Sequence, residues 1–160
     1  MIDPLSLSIG VGLVVSLLFS EIFGLAAGGM VVPGYIALHL TQPLSVALTL
    51  GAGLIAYWLV HAVSTVAIVY GRRRTVLMIL VGYLVGGGIR YGAQMVWTTG
   101  DLPFLSVNGV EYSVIGFIIP GLIAIWIDRQ GVIETFSSLL TASVVVRLIL
   151  ILSIPGELGT

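Results

Sequence analysis

Cysteine and lysine are both missing from this 160-residue chain, and charge of either sign is scarce. Without cysteine there are no disulfides, no thiol chemistry and no thiolate metal sites, and the redox compartment stays undecided. All six cations are arginine and the formal net charge is −1, so no basic footprint for nucleic acid exists. Charged residues make up 8% and hydrophobic residues 58%, with a mean hydropathy of +1.18. A soluble domain carries roughly 25% charged residues, so this chain cannot cover a water-facing surface. The longest polar stretch is Thr98–Tyr112, too short for a soluble domain. No Lys or Arg precedes the first apolar stretch, Leu5–Phe19, which has Asp3 and Pro4 directly before it. A secretory signal wants cations there, so an uncleaved first span is expected. The expectation is one multi-pass membrane domain over residues 1–160.

Apolar runs read as Leu5–Ser20, Ile22–Leu40, Leu44–Tyr70, Thr75–Trp97, Tyr112–Ile127 and Val132–Ile154. About 20 helical residues cross a hydrocarbon core of about 30 Å. Leu44–Tyr70, Thr75–Trp97 and Val132–Ile154 reach that length. Leu5–Ser20 is shorter, and two of the remaining runs carry a Pro-Gly break. Those breaks lie in similar surroundings: Gly29-Met30-Val31-Val32-Pro33-Gly34-Tyr35-Ile36-Ala37 and, 87 positions later, Gly116-Phe117-Ile118-Ile119-Pro120-Gly121-Leu122-Ile123-Ala124. Proline steers Val32 and Ile119 away from α geometry, glycine accepts positive φ, and proline suits a helix's first turn. Each break can end one half-element and begin another, aiming freed amides at whatever fills the gap. A plain kink is the simpler reading of one such motif; two in matched contexts point to a site inside the membrane. The fold expected is an all-α integral membrane protein of four to six transmembrane helices. Its two related halves, residues 1–73 and 74–160, would be inverted repeats, each with a broken or re-entrant segment.

Arg72-Arg73-Arg74 sets the orientation, because cytoplasmic turns are rich in arginine. Chaining from it puts Thr98–Glu111 outside and Asp128-Arg129-Gln130 inside. In reverse it puts Gln42-Pro43 outside and Glu21 inside. That chain has six crossings, three per half. If both Pro-Gly segments are re-entrant, four spans result and the halves run parallel. Small residues at four-residue spacing, Gly12-Ser16-Ser20-Gly24 and Gly82-Gly86, mark close helix packing.

Arg90 and Arg147 stand inside apolar runs. Arg90 is sixteen residues beyond Arg74, about 24 Å along a helix. Both arginines either reach outer headgroups or give an anionic substrate a cationic lining. Glu21 caps or pairs at the inner face, or meets a partner there. Asp128 and Arg129 sit in an interfacial turn, and Glu134 suits the first turn of the last helix. His61, one turn from Tyr57 and Thr65, reads as packing or as a proton relay. Tyr70, Trp97 and Tyr112 read as interfacial anchors. No nucleotide loop, no Ser-His-Asp arrangement and no metal-ligand spacing is present. No catalytic residue and no metal ligand is therefore assigned, and any chemistry using ATP falls to another protein.

The ordered set of motifs resembles the PgsC/CapC family, the integral membrane subunit of poly-γ-glutamate synthases in capsule biosynthesis. The matching pieces are Glu21 with Gly24, the first Pro-Gly motif from Gly29 to Tyr35, Gln42-Pro43, and Tyr70-Gly71-Arg72-Arg73-Arg74. They continue with the second motif from Gly116 to Ala124, Arg129-Gln130-Gly131 and Thr135. Together they cover roughly residues 5–150; Gly86-Gly87-Gly88 and Thr98–Tyr112 carry no part of the resemblance.

That resemblance implies a bacterial cytoplasmic-membrane assembly. Its partners would be a PgsB/CapB-like amide ligase using ATP and a divalent metal, a PgsA/CapA-like extracytoplasmic subunit, and a small PgsE/CapE-like membrane peptide. This chain would hold no cofactor. It would dock the ligase and give poly-γ-glutamate a path through the bilayer. Path candidates are Gly29, Pro33, Gly34, Tyr35, Arg90, Pro120, Gly121 and Arg147. Docking candidates are Glu21, Arg72, Arg73, Arg74, Asp128 and Arg129; the arginine triplet would equally suit anionic lipid. A non-conducting scaffold and an independent small-anion transporter, the latter needing a homo-oligomer, stay open. Four spans against six, and released against anchored polymer, are likewise open.

Overall fold

The computed structural model describes residues 4–67, 70–99, 106–107, 110–111 and 116–153. Six helices follow one another: α1 (Pro4–Phe23), α2 (Val32–Leu38), α3 (Pro43–Val66), α4 (Arg72–Thr99), α5 (Ile119–Gln130) and α6 (Val132–Ser153). Between α4 and α5 lies a two-residue antiparallel pair, β1 (Ser106–Val107) and β2 (Val110–Glu111), in register Ser106↔Glu111 and Val107↔Val110. The rest of the expected outer loop, and the anchor assigned to Tyr112, lie outside the described residues.

Among the described residues four helices are long and apolar enough to cross a membrane: Ser6–Phe23 of α1, Pro43–Val66, Arg72–Gly92 of α4, and Val132–Ser153. Their outward faces are apolar, with Trp58 74% and Leu152 81% exposed. An all-helical membrane-type chain of at least four candidate spans is therefore the architecture.

The two Pro-Gly segments differ from the runs read in the sequence. Helix α1 continues past Ser20 to Phe23, so exposed Glu21 lies within its last turn. Residues 24–31 are not helical, and only Val32–Leu38 of the second run coils. Gly24, Gly28 and Gly29 hold φ of 65°, 70° and 115° there, values that β-branched neighbours could not take. Pro33 opens α2 in its first turn, with no side chain capping that end. Helix α5 starts at Ile119, beside Pro120, and continues through Asp128 and Arg129. Those two residues stand in a helix's last turn, and Gly131, with φ 99°, makes the break before α6.

The helices sort into two compact units, the first drawing on both ends of the sequence and the second on its middle. The first holds Met1–Thr41 with Trp126–Thr160, and the second Gln42–Ile125. In the first, Val15, Ala27, Ala37, Ala142, Val146 and Leu150 form the core. Segment 24–38 runs back along α1. The Ser16 hydroxyl reaches the Gly29 carbonyl at 3.4 Å, and the Ser8 hydroxyl reaches the Gly34 carbonyl at 2.8 Å. Along α6 the same segment runs parallel, with Gly28 beside Leu139 and Ala37 beside Arg147.

In the second unit, Ala56, Val60, Met78, Ala124 and Ile125 form the core. Residues 117–121 run back along α4, from Tyr83 against Phe117 to Ile79 against Gly121. Gly53 of α3 lets the Pro120 carbonyl and Ile123 approach closely.

Candidate functional site

A non-helical segment buried among apolar helices leaves backbone polar groups without their usual partners. Each unsatisfied group in hydrocarbon costs several kcal/mol. Segment 24–31 is such a stretch, and Ala27, Gly28 and Gly29 are buried. The amide and carbonyl of Ala26 and the carbonyl of Gly29 are met by side chains.

Gln130, the last residue of α5, supplies most of this. Its Nε2 donates to the Ala26 carbonyl at 2.6 Å, and its Oε1 accepts from the Ala26 amide at 3.1 Å. A carboxamide has one donor and one acceptor end, so only this orientation satisfies both groups. The Ser138 hydroxyl lies 3.2 Å from the same carbonyl but 2.6 Å from the Glu134 carbonyl of its own helix. With one hydrogen to give, Ser138 favours the nearer acceptor. The amide of Gly28 also donates to Ala26 at 2.8 Å.

Farther along, Arg147 donates from a terminal guanidinium nitrogen to the Ala37 carbonyl at 3.0 Å. His39 Nδ1 lies 3.0 Å from the Tyr35 carbonyl. A carbonyl only accepts, so Nδ1 carries the hydrogen. Both donors meet the carbonyl end of α2, where a helix's partial charge is negative.

The sequence-derived path residues fall into both units. In the first, Gly29, Pro33 and Gly34 are buried, and Tyr35 and Arg147 are half-buried. Gly29 faces the Trp126 ring nitrogen, and Gly34 packs on the backbone at Ser8 and Ile9. In the second, Pro120 and Gly121 are buried against α4, while Arg90 is exposed with its guanidinium 5.2 Å from the Phe117 ring. Both Pro-Gly pairs are thus packing points, the first against α1 and the second against α4.

Docking candidates are surface residues. Glu21, Arg72, Arg73, Asp128 and Arg129 are exposed and Arg74 is half-buried. Arg129 lies 5.4 Å above the Trp126 ring, a cation–π distance. His61 stacks on Tyr57, with ring centres 5.9 Å apart, and is exposed. Among the described residues no group of three His, Asp or Glu could hold a metal ion.

Sequence reasoning assigned no role to Gln130, Ser8, His39 or Trp126. The available signal was polarity: a serine early in an apolar helix, and a glutamine where that helix chain meets glycine.

Residues 11–136 match the protein family described as Capsule biosynthesis CapC. The PGA biosynthesis protein CapC of Bacillus subtilis (strain 168) is 34% identical over 142 residues, covering 88% of this chain and 89% of that protein. The Capsule biosynthesis protein CapC of Bacillus anthracis is 32% identical over the same length and shares. No solved structure matches. With most of its length matched at this level, the chain belongs to the CapC capsule-biosynthesis family.

Proposed function

We propose that this chain is the membrane subunit of a poly-γ-glutamate synthesis and export assembly in the bacterial cytoplasmic membrane. Its two Bacillus relatives are named for PGA and capsule biosynthesis. The observation that carries the reading is the unwound segment 24–31, buried at Ala27, Gly28 and Gly29, held at Ala26 by Gln130 and packed against the membrane-type helices α1 and α6. Broken segments of this kind accompany substrate paths in membrane proteins.

The same segment supports six crossings and inverted halves. The segment leaves the end of α1 and returns past Ser16 and then Ser8, eight residues apart, or about 12 Å along that helix. Phe117 and Gly121 return along α4 in the same sense. Three crossings per half make the repeats inverted.

In this reading Arg72–Arg74 and Arg129 face the cytoplasm. There they dock the ATP-dependent amide ligase, which carries its own ATP and divalent metal. An extracytoplasmic subunit and a small membrane peptide complete the assembly. Poly-γ-glutamate carries one carboxylate per residue, so its path needs positive potential, which Arg90 and Arg147 supply.

One observation favours a second reading, a scaffold that conducts nothing. Arg147 is engaged with a backbone carbonyl, and both Pro-Gly pairs are buried. Arg90→Gln and Arg147→Gln separate the two. A conduit loses secreted polymer while ligase stays on the membrane; a scaffold keeps full output in both variants.

A further inference from the structure

The exposed end of α5 is connected to the unwound segment by two side chains. Trp126, beneath the Arg129 guanidinium, presents its ring nitrogen to Gly29. Gln130 holds both backbone groups of Ala26. Gln130 and Ala26 are 104 residues apart in sequence. Held this way, Ala26 has the paired donor and acceptor that a neighbouring β-strand would give it. The other partners are partial: Ser138 spends its hydrogen on its own helix, and the Gly28 amide, which also donates to the Ala26 carbonyl at 2.8 Å, does nothing for the Ala26 amide that Gln130 accepts from.

We propose that Gln130 is the positioning residue of the broken segment. Its carboxamide is a clamp that fixes residues 24–31 in their non-helical course, and it ties that course to the end of α5 that carries Asp128 and Arg129. The clamp rests on geometry alone; its bearing on polymer passage rests on the function proposed above. Through it, a load on the cytoplasmic end of α5 is felt first at Ala26, without passing through the long helices.

The chain has no cysteine, so a single introduced thiol reports without background. Ala27, fully buried, becomes the probe as Ala27→Cys in the full-length protein in native membranes, labelled with a membrane-permeant maleimide. Ala56→Cys, equally buried in the second unit, reports general unfolding. Adding Gln130→Ala should raise the labelling rate at position 27 on the order of tenfold, because two hydrogen bonds are lost, and leave position 56 protected. Gln130→Met separates a clamp from a filler, since methionine keeps length and bulk without the hydrogen bonds. Labelling in Gln130→Met as fast as in Gln130→Ala supports the clamp. Wild-type protection in Gln130→Met overturns it, as does an unchanged rate in Gln130→Ala. Because methionine fills the space, the Met variant decides the matter even where the alanine variant exposes position 56. The labelling needs no ligase and no polymer, so it stands or falls apart from the assembly. Polymer output is the separate readout: Gln130→Met should cut secretion while the ligase stays membrane-bound, and unimpaired secretion would show that the clamp has no part in passage.

Discussion

A methyl group placed on Gly12 would lie 2.8 Å from the Gly34 Cα and amide nitrogen. One placed on Gly82 would press on the Gly121 Cα and amide nitrogen. Backbone cannot step aside as a flexible side chain does. Gly12→Ala and Gly82→Ala should therefore each cost about 1–3 kcal/mol by overpacking, measured as a lower thermal midpoint of the detergent-solubilised protein. Gly10→Ala and Gly88→Ala, with nothing within 4 Å, should leave that midpoint unchanged or raise it slightly. Equal effects at all four positions would refute the close approach. The hydroxyls make a finer comparison. Ser8→Ala removes a 2.8 Å bond to Gly34 and Ser16→Ala a 3.4 Å bond to Gly29. The first should cost about 1 kcal/mol and the second less; the reverse order would mean that Gly34 finds another donor. Glycine spacing was readable from the sequence because lipid-embedded helices use small residues to approach. The serine partners were not, because a hydroxyl in an apolar helix can equally bond its own preceding turn, as Thr135 does to Gly131.

At the scale of elements, Pro33 and Pro120 announced the breaks before any coordinates. Both open short helices, as the loss of a backbone N–H in the first turn allows. The extent of unwinding was not legible. Val31, Val32, Leu25 and Ala27 read as a hydrophobic run whether helical or extended, and hydropathy carries no φ. What decides the matter is tertiary: Gln130 lies 104 residues from Ala26 in sequence, and only folding reveals that its carboxamide stands ready. The end of α5 was misplaced for a related reason. Asp128 and Arg129 look like an interhelical turn, yet Gly131 is the residue with the left-handed backbone, so the helix runs on to Gln130. Six crossings make a prediction at this scale. Glu21 and Thr41, both exposed, bracket the broken segment. Single cysteines at these positions should label from opposite faces of the membrane with an impermeant maleimide. Labelling of both from one face would show the segment to be re-entrant and leave four spans.

At the scale of the molecule, scarce charge is concentrated where it can act. Three adjacent arginines open α4, with no acidic residue in that first turn. Cations at a helix N-terminus are opposed by the dipole, so the triplet gains nothing from its own helix. In the function proposed above, the exposed Arg72 and Arg73 would meet an acidic surface of the ligase. Replacing Arg72, Arg73 and Arg74 together with glutamine should move the ligase from the membrane to the soluble fraction while the chain itself stays inserted. Retained ligase would remove the triplet as its docking site. Membrane class and family were legible from composition and ordered motifs, since 58% apolar residues leave little room for another class. The assembly is a matter of surfaces that a single chain does not contain.

Affinity purification of the tagged chain from its native membrane, with mass spectrometry of what accompanies it, tests the central claim most directly. An ATP-dependent amide ligase in stoichiometric amount is the result predicted; the chain recovered alone would contradict it.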